Sequence, residues 1–219
     1  MTLVEHDGSY CIRVNGQQLM HSSVSASEIK LGELGCARHT RLNNGTRVLI
    51  GGLGLGFTLK AVLENVGGNA SVQVAELFPE IVAWNRTHLA GLNGKLLGDR
   101  RVKVLEEDVR RILARAVRQP FDVIVLDIDN GTTAMVKTEN NELYSERGMQ
   151  LIFQALKPGG RAAIWSACPD VAIERRLTKA GFKVESVPAK LYETAKRFAY
   201  MIYVADKPVE EPKAKAKGK

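Results

Sequence analysis

The sequence predicts an α/β fold in which a mostly parallel sheet of seven strands closes with an antiparallel pair. Three observations carry this. From Thr46 onward, short β-branched runs alternate with segments of helical periodicity. The run Arg47-Val48-Leu49-Ile50 breaks into Gly51-Gly52-Leu53-Gly54-Leu55-Gly56 and resumes as a helical pattern, which reads as strand, glycine turn and helix. The last two strand patterns follow one another with no helix long enough for a parallel crossover, so they should pair antiparallel.

The opening segment, residues 1–43, stands apart as a small β-hairpin. Tyr10 to Val14 alternates like a strand, Asn15-Gly16 is a strong two-residue turn, and Gln17 to Met20 returns as the partner. Ser27 is placed as the N-cap of a helix reaching about Cys36, with Glu28 in its first turn. The main domain takes up residues 44–206.

In that domain the glycine run joins the first strand to a helix from Phe57 to Val66. Glycines belong there because a Cβ would block positive φ values or a close approach of backbone to ligand, and the free N–H groups of the new helix point at what sits there. Ser71 to Ala75 is the next strand. It ends on Glu76, placed to accept hydrogen bonds from a ribose diol; the competing reading is a tight turn whose Glu76 only caps a strand. Phe78 to Leu92 reads as one helix with Pro79 near its start. Val102 to Leu105 is a strand ending in Glu106-Glu107-Asp108, and Val109 to Val117 a helix whose Arg110, Arg111, Arg115 and Arg118 form an exposed face. Phe121 to Leu126, the most apolar strand, belongs at the sheet's centre and ends in Asp127-Ile128-Asp129-Asn130. A polar loop from Thr132 leads to Ser145, the cap of a helix to Leu156. Lys157-Pro158-Gly159-Gly160 turns into the strand Arg161 to Trp165, a helix spans Pro169 to Ala180, and Phe182 to Val187 and Arg197 to Ala205 close the sheet.

At 219 residues the chain suits one sizeable domain. No apolar run is long enough for a membrane span and no signal peptide is visible, so a cytoplasmic protein is expected. Its three cysteines, Cys11, Cys36 and Cys168, are scattered and read as free thiols. The net charge of +7 is partly due to residues 207–219, expected as a disordered, solvated tail. No aromatic residue interleaves its lysines, which argues against a nucleic-acid partner.

Ligands of such sheets bind beyond the carboxyl ends of the strands, where the strand order reverses. Gly52, Gly54, Gly56, Glu76, Asp108 and Asp127 share those ends. The acids suit an adenosyl ligand better than a pyrophosphate, which wants Lys or Arg beside the glycine loop. Glu76 is placed for ribose hydroxyls, Asp108 for the adenine amino group, and the main chain of Val109 for a ring nitrogen. A carboxylate-lined cleft also attracts a sulfonium and a cationic amine.

On NGQQLMHS, VLIGGLGLGFTLKAVL, VAELFPEIVAWN, EEDVRRIL, FDVIVLDIDNG, LYSERGMQLIFQALKPGG and the closing hairpin, the chain resembles the spermidine synthase-like (polyamine aminopropyltransferase) family over roughly Tyr10 to Ala205. The resemblance implies a Rossmann-like domain of the class I AdoMet-dependent transferase type under an N-terminal lid. It implies decarboxylated S-adenosylmethionine as co-substrate, no metal, and aminopropyl transfer to putrescine or another small polycationic amine. By position it makes Asp127 the group that takes a proton from the attacking amine, with Asp129 close by. The chemistry is coherent, because an amine is nucleophilic only when neutral and a carboxylate within reach can accept its proton. The glycine loop departs from the family's GGGDGG, with Leu55 in the aspartate's place. Two alternatives keep the fold: a methyltransferase using S-adenosylmethionine on a small molecule, with His21, Asp127 or Tyr144 near the acceptor, and a non-catalytic nucleoside-binding relative. Edge strands in such folds often pair, which would make a homodimer.

Overall fold

The structure, a computed structural model, describes residues 1–39, 45–128 and 140–209. Strands β1 (Thr2–His6), β2 (Ser9–Val14) and β3 (Gln17–His21) form a small antiparallel sheet. Its two turns, Asp7-Gly8 and Asn15-Gly16, have positive φ throughout, at 49° and 76° and at 51° and 79°. That is the backbone hand that matches the twist of paired strands. The hairpin at Asn15-Gly16 is as expected. Strand β1 is an addition, invisible in sequence because Thr2–His6 is almost wholly exposed and carries no apolar alternation.

Helix α1 (Ala26–Cys36) starts two residues earlier than expected, with Ser25 at the N-cap; Ser27 instead donates its hydroxyl to Glu28 Oε2 at 2.6 Å. By packing, α1 belongs to the larger domain. Its Leu31 and Cys36 are fully buried in one core with Val48, Ile50, Val123 and Val125.

The large sheet comprises β4 (Arg47–Gly51), β5 (Ser71–Ala75), β6 (Val102–Leu105), β7 (Phe121–Leu126), β8 (Leu156–Ser166), β9 (Lys183–Ala189) and β10 (Tyr200–Asp206), in the order β6-β5-β4-β7-β8-β10-β9. The pairings from β6 to β8 are parallel, and β10 runs antiparallel to both its neighbours. The order therefore reverses between β4 and β7, beside the glycine loop. The helices α2 (Phe57–Asn65) and α3 (Pro79–Arg86) join α1 on one face of the sheet. The helices α5 (Val109–Ala116), α7 (Glu146–Gln154) and α8 (Val171–Ala180) cover the other. Between α3 and α5 lies the short α4 (Ala90–Asn93), and before α7 the short α6 (Asn140–Leu143). Strand β7 serves both cores: Val123 and Val125 face one layer, Ile124 and Leu126 the other, and all four are fully buried. A third cluster, Ile12, Leu55 and Leu89, fastens the small sheet to the large domain.

Three local expectations change. The helix read from Phe78 to Leu92 is broken at Thr87, whose hydroxyl bonds back to the Ala83 carbonyl at 2.8 Å while its N–H is shared between Ala83 and Trp84. The turn at Lys157–Gly160 is an excursion inside one long strand: Leu156 pairs with Phe121, and Arg161 with Val123. Lys207 is no part of a loose tail, because its ammonium donates to the Phe153 and Leu156 carbonyls at 2.8 and 2.7 Å. The rest of the expected tail from residue 210, together with Asp129 and most of the polar loop after it, lies outside the described residues. A buried ion pair closes the far end of the sheet, where Arg161 forks onto Asp206 at 2.8 and 3.0 Å and also donates to the Leu34 carbonyl of α1. Among the described residues no helix is long and apolar enough to cross a membrane.

Candidate active site

The carboxyl ends of β4, β5, β6 and β7 open into one cavity of about 460 Å³, with Gln18 to His21 of the small sheet and Trp165, Ala167, Leu191 and Tyr200 on its other sides. The glycine loop forms part of its wall. Gly52 has φ +90°, and a Cβ there would stand 2.3 Å from the Asp127 carbonyl oxygen, so the loop can nest on the end of β7 only as glycine. Gly54, at φ +50°, is covered by the end of Met20, 2.7 Å from where a Cβ would be. Both line the cavity; Gly56 does not, and acts as the N-cap of α2.

Two buried amides hold this loop. Asn85 Nδ2 donates to the Gly54 carbonyl at 2.9 Å and Asn93 Nδ2 to that of Leu55 at 2.6 Å. Neither was singled out in the sequence, where an Asn on an otherwise apolar helix face is the sole cue. Leu55 itself is turned away from the ligand space into the cluster with Ile12 and Leu89.

The acids divide into two kinds. Glu76, 5% exposed at the tip of β5, accepts N–H bonds from Leu53 at 3.0 Å and Phe78 at 2.9 Å, one on each oxygen. Burial pushes its carboxyl above the usual range while those donors oppose the rise. The Leu77 and Gly54 main-chain N–H groups also act on it, so this carboxylate sits among four backbone donors at the rim of the cavity. Asp108 differs. It caps α5 through Arg110 N–H at 2.8 Å, and the Arg110 guanidinium forks onto it with contacts of 2.9 and 2.7 Å to Oδ2 and 3.2 Å to Oδ1. Burial would raise its carboxyl, but Arg110 outweighs that and holds it below the usual range. Arg110 contacts both its oxygens, so an adenine amino group would share Asp108, which lines the cavity, with that guanidinium. Arg110 leaves the expected exposed face, and it reaches Glu142 as well. The Val109 amide, the first of α5, is not used by this cap, and Val109 lines the cavity.

Asp127, at the tip of β7, receives the Thr58 hydroxyl at 2.6 Å. Burial and the charge of Glu76 push it up to about 6, against that hydrogen bond. Glu28, 9% exposed in the first turn of α1, lines the same cavity and is pushed up to about 7, first by burial and then by the charge of Asp127. It acts in turn on Tyr200, whose hydroxyl is raised by burial and by Glu28. Glu76, Asp127, Glu28 and Tyr200 all line this one cavity. Sequence reasoning placed Glu28 only as a first-turn acid; its turn into the cavity depends on how α1 packs.

His21 lines the cavity at the end of β3, with Nδ1 and Ser23 Oγ 2.7 Å apart. Tyr144 is not among the lining residues. It is 4% exposed in the core and donates its hydroxyl to the Ile128 carbonyl, next to Asp127, at 3.1 Å.

A strand order reversing at the glycine loop, acids at the strand tips and an antiparallel last strand define the class I AdoMet-transferase fold. The chain is similar to spermidine synthase from Thermotoga maritima, with a TM-score of 0.70 at 20% identity over 92% of this chain and 66% of that one. A spermidine synthase in complex with the transition-state analogue AdoDATO gives 0.70 at 18% identity, over 96% and 73% of the two chains. Human methyltransferase-like protein 13 in complex with SAH gives 0.56 at 16%, over 90% and 84%. At these identities the likeness establishes the fold. The chain spans just under two thirds of the length of the Thermotoga synthase. No family model matches the sequence, and no curated protein matches it significantly.

Proposed function

We propose that the protein is an adenosyl-sulfonium-dependent transferase that moves an aminopropyl group from decarboxylated AdoMet to a small polycationic amine. The observation that carries this reading is the set of Glu76, Asp127 and Glu28 in one cavity, none with a cationic partner among the described residues. The basic side chains lining that cavity are Arg110, spent on Asp108, and His21. Such a site suits a ligand that is positive at sulfur and at nitrogen. Carboxyls at the strand tips supply what the aspartate missing at Leu55 would otherwise contribute.

In this reading the ribose hydroxyls donate to Glu76, and a ring nitrogen of the base accepts from the Val109 amide. The neutral acceptor nitrogen attacks the CH₂ bonded to sulfur. A C–N bond forms, the C–S bond breaks, and its electron pair stays on sulfur, so methylthioadenosine leaves as a neutral thioether. The new ammonium passes its extra proton to Asp127, which is ionised above pH 6 yet more basic than an ordinary aspartate, as a proton acceptor working near neutrality should be. Alignment of nitrogen, carbon and sulfur by the cavity walls supplies most of the remaining rate.

The test is incubation with decarboxylated AdoMet and a panel of amines, with methylthioadenosine and the aminopropylated product followed by mass spectrometry. Calorimetric titration with methylthioadenosine and S-adenosylhomocysteine runs beside it. Tight binding of the carboxylated ligand together with methyl transfer from AdoMet would replace this reading by the methyltransferase one.

A further inference from the structure

We propose that Glu28 is the specificity-determining residue of the acceptor subsite, a carboxylate seat that selects an acceptor bearing a primary ammonium and takes it up in exchange for a proton. This rests on the transferase reading of the same cavity and adds a residue and a selection rule to it.

Glu28 is nine-tenths buried, yet its structural roles are all filled by others. The N-cap of α1 is Ser25. Lys30, the nearest base on the helix, is directed to the Pro188 carbonyl at 3.1 Å. Apart from the Ser27 hydroxyl and its own amide, Glu28 has no donor, and no cation, among the described residues. A carboxyl buried without a cation costs several kcal/mol if ionised, and a Gln would satisfy Ser27 equally well. The acid is therefore placed for a charge that arrives from outside.

Its surroundings say which charge. From β7 it meets Asp127; from β10, Tyr200; from α2, Thr58, whose hydroxyl lies 3.3 Å from the Glu28 carbonyl oxygen and 2.6 Å from Asp127 Oδ2. His21 and Trp165 line the same space. None of these is a fixed cation, and two are anions when deprotonated. Asp127 cannot both remain the counter-ion of an ammonium and take its proton, so a second carboxylate is required to hold the cation while Asp127 does the proton transfer. Without a ligand, burial and the charge of Asp127 both favour the protonated form of Glu28. An incoming ammonium does the proton's work and displaces it. A neutral alcohol of the same shape cannot.

The test is calorimetry on the full chain at pH 6.5, with and without saturating methylthioadenosine, using 1,4-diaminobutane and its neutral counterpart 1,4-butanediol. Titrations in two buffers of different ionisation enthalpy count the protons exchanged. The expected result is binding of the diamine with net proton release and at least tenfold discrimination against the diol. Glu28→Gln should weaken the diamine about tenfold or more, reduce the proton count, and leave methylthioadenosine affinity within twofold of wild type; Glu28→Asp should restore part of the loss. Wild-type affinity for the diamine in Glu28→Gln, an unchanged proton count, or no preference for diamine over diol would each overturn the proposal. Failure of methylthioadenosine to bind would count against the transferase reading instead, since the amine titration without nucleoside still reports on Glu28.

Discussion

Replacing Glu28 by Gln should make the ligand-free protein more stable at alkaline pH and leave it nearly unchanged in mild acid. The folded state raises this carboxyl from 4.5 to about 7. At about 1.4 kcal/mol per pH unit, that rise corresponds to roughly 3 kcal/mol. The sign follows from which state binds the proton more tightly. A carboxyl raised by folding contributes stability that is complete below its unfolded value near 4.5 and is lost as pH rises through about 7. The wild type should therefore lose on the order of 2 to 3 kcal/mol from Glu28 between pH 4.5 and pH 8, a loss the Gln variant does not share. Urea denaturation of both proteins at pH 5 and pH 8 measures it, with an exposed control such as Glu5→Gln to remove the effect of net charge. Equal differences between variant and wild type at the two pH values would refute the premise that Glu28 is buried without a cation, and the acceptor seat with it.

Gly52→Ala should be strongly destabilising, by about 3 kcal/mol or more, and should abolish methylthioadenosine binding in calorimetry, because a Cβ 2.3 Å from the Asp127 carbonyl at φ +90° forces the glycine loop off the end of β7. Asp127→Asn should leave the fold and nucleoside affinity largely intact while lowering aminopropyl transfer by about 10² to 10⁴; in the wild type the rate should fall as pH drops through about 6, where Asp127 takes up a proton, a dependence the Asn variant lacks. Arg161→Met should cost about 3 kcal/mol in denaturant titrations, since it leaves the partly buried Asp206 with the Arg38 guanidinium at 3.1 Å as its remaining cation among the described residues, and should leave the cavity's ligand affinities unchanged.

Much of the architecture is legible in the chain because its signals are local. The alternation of strands and helices after Thr46, the doubly buried β7 and the consecutive β9 and β10 each show in a window of a few residues, and together they lead to the sheet observed. The turn at Asn15-Gly16 was equally plain, whereas β1 was hidden because an exposed strand needs no apolar pattern. The break at Thr87 was missed for a different reason: its periodicity continues through Leu89, and only the side chain's bond to the Ala83 carbonyl ends the helix.

The candidate site divides along the same line. The glycine loop, Glu76 and Asp127 belong to strand tips, and the tips of neighbouring parallel strands meet at one edge whatever the details of packing, so the sequence by itself was enough to bring them together. Which other side chains face that edge is settled by contacts between segments remote in sequence. The packing of α1 on the sheet turns Glu28 into the cavity, the small sheet draws Leu55 out of it, and a guanidinium two residues away shares Asp108 with the helix end. Local periodicity reports that a residue lies on a helix or at a strand end, but not which way its helix is rotated or which partner reaches it first; those follow from filling the core, and only the tertiary structure decides them.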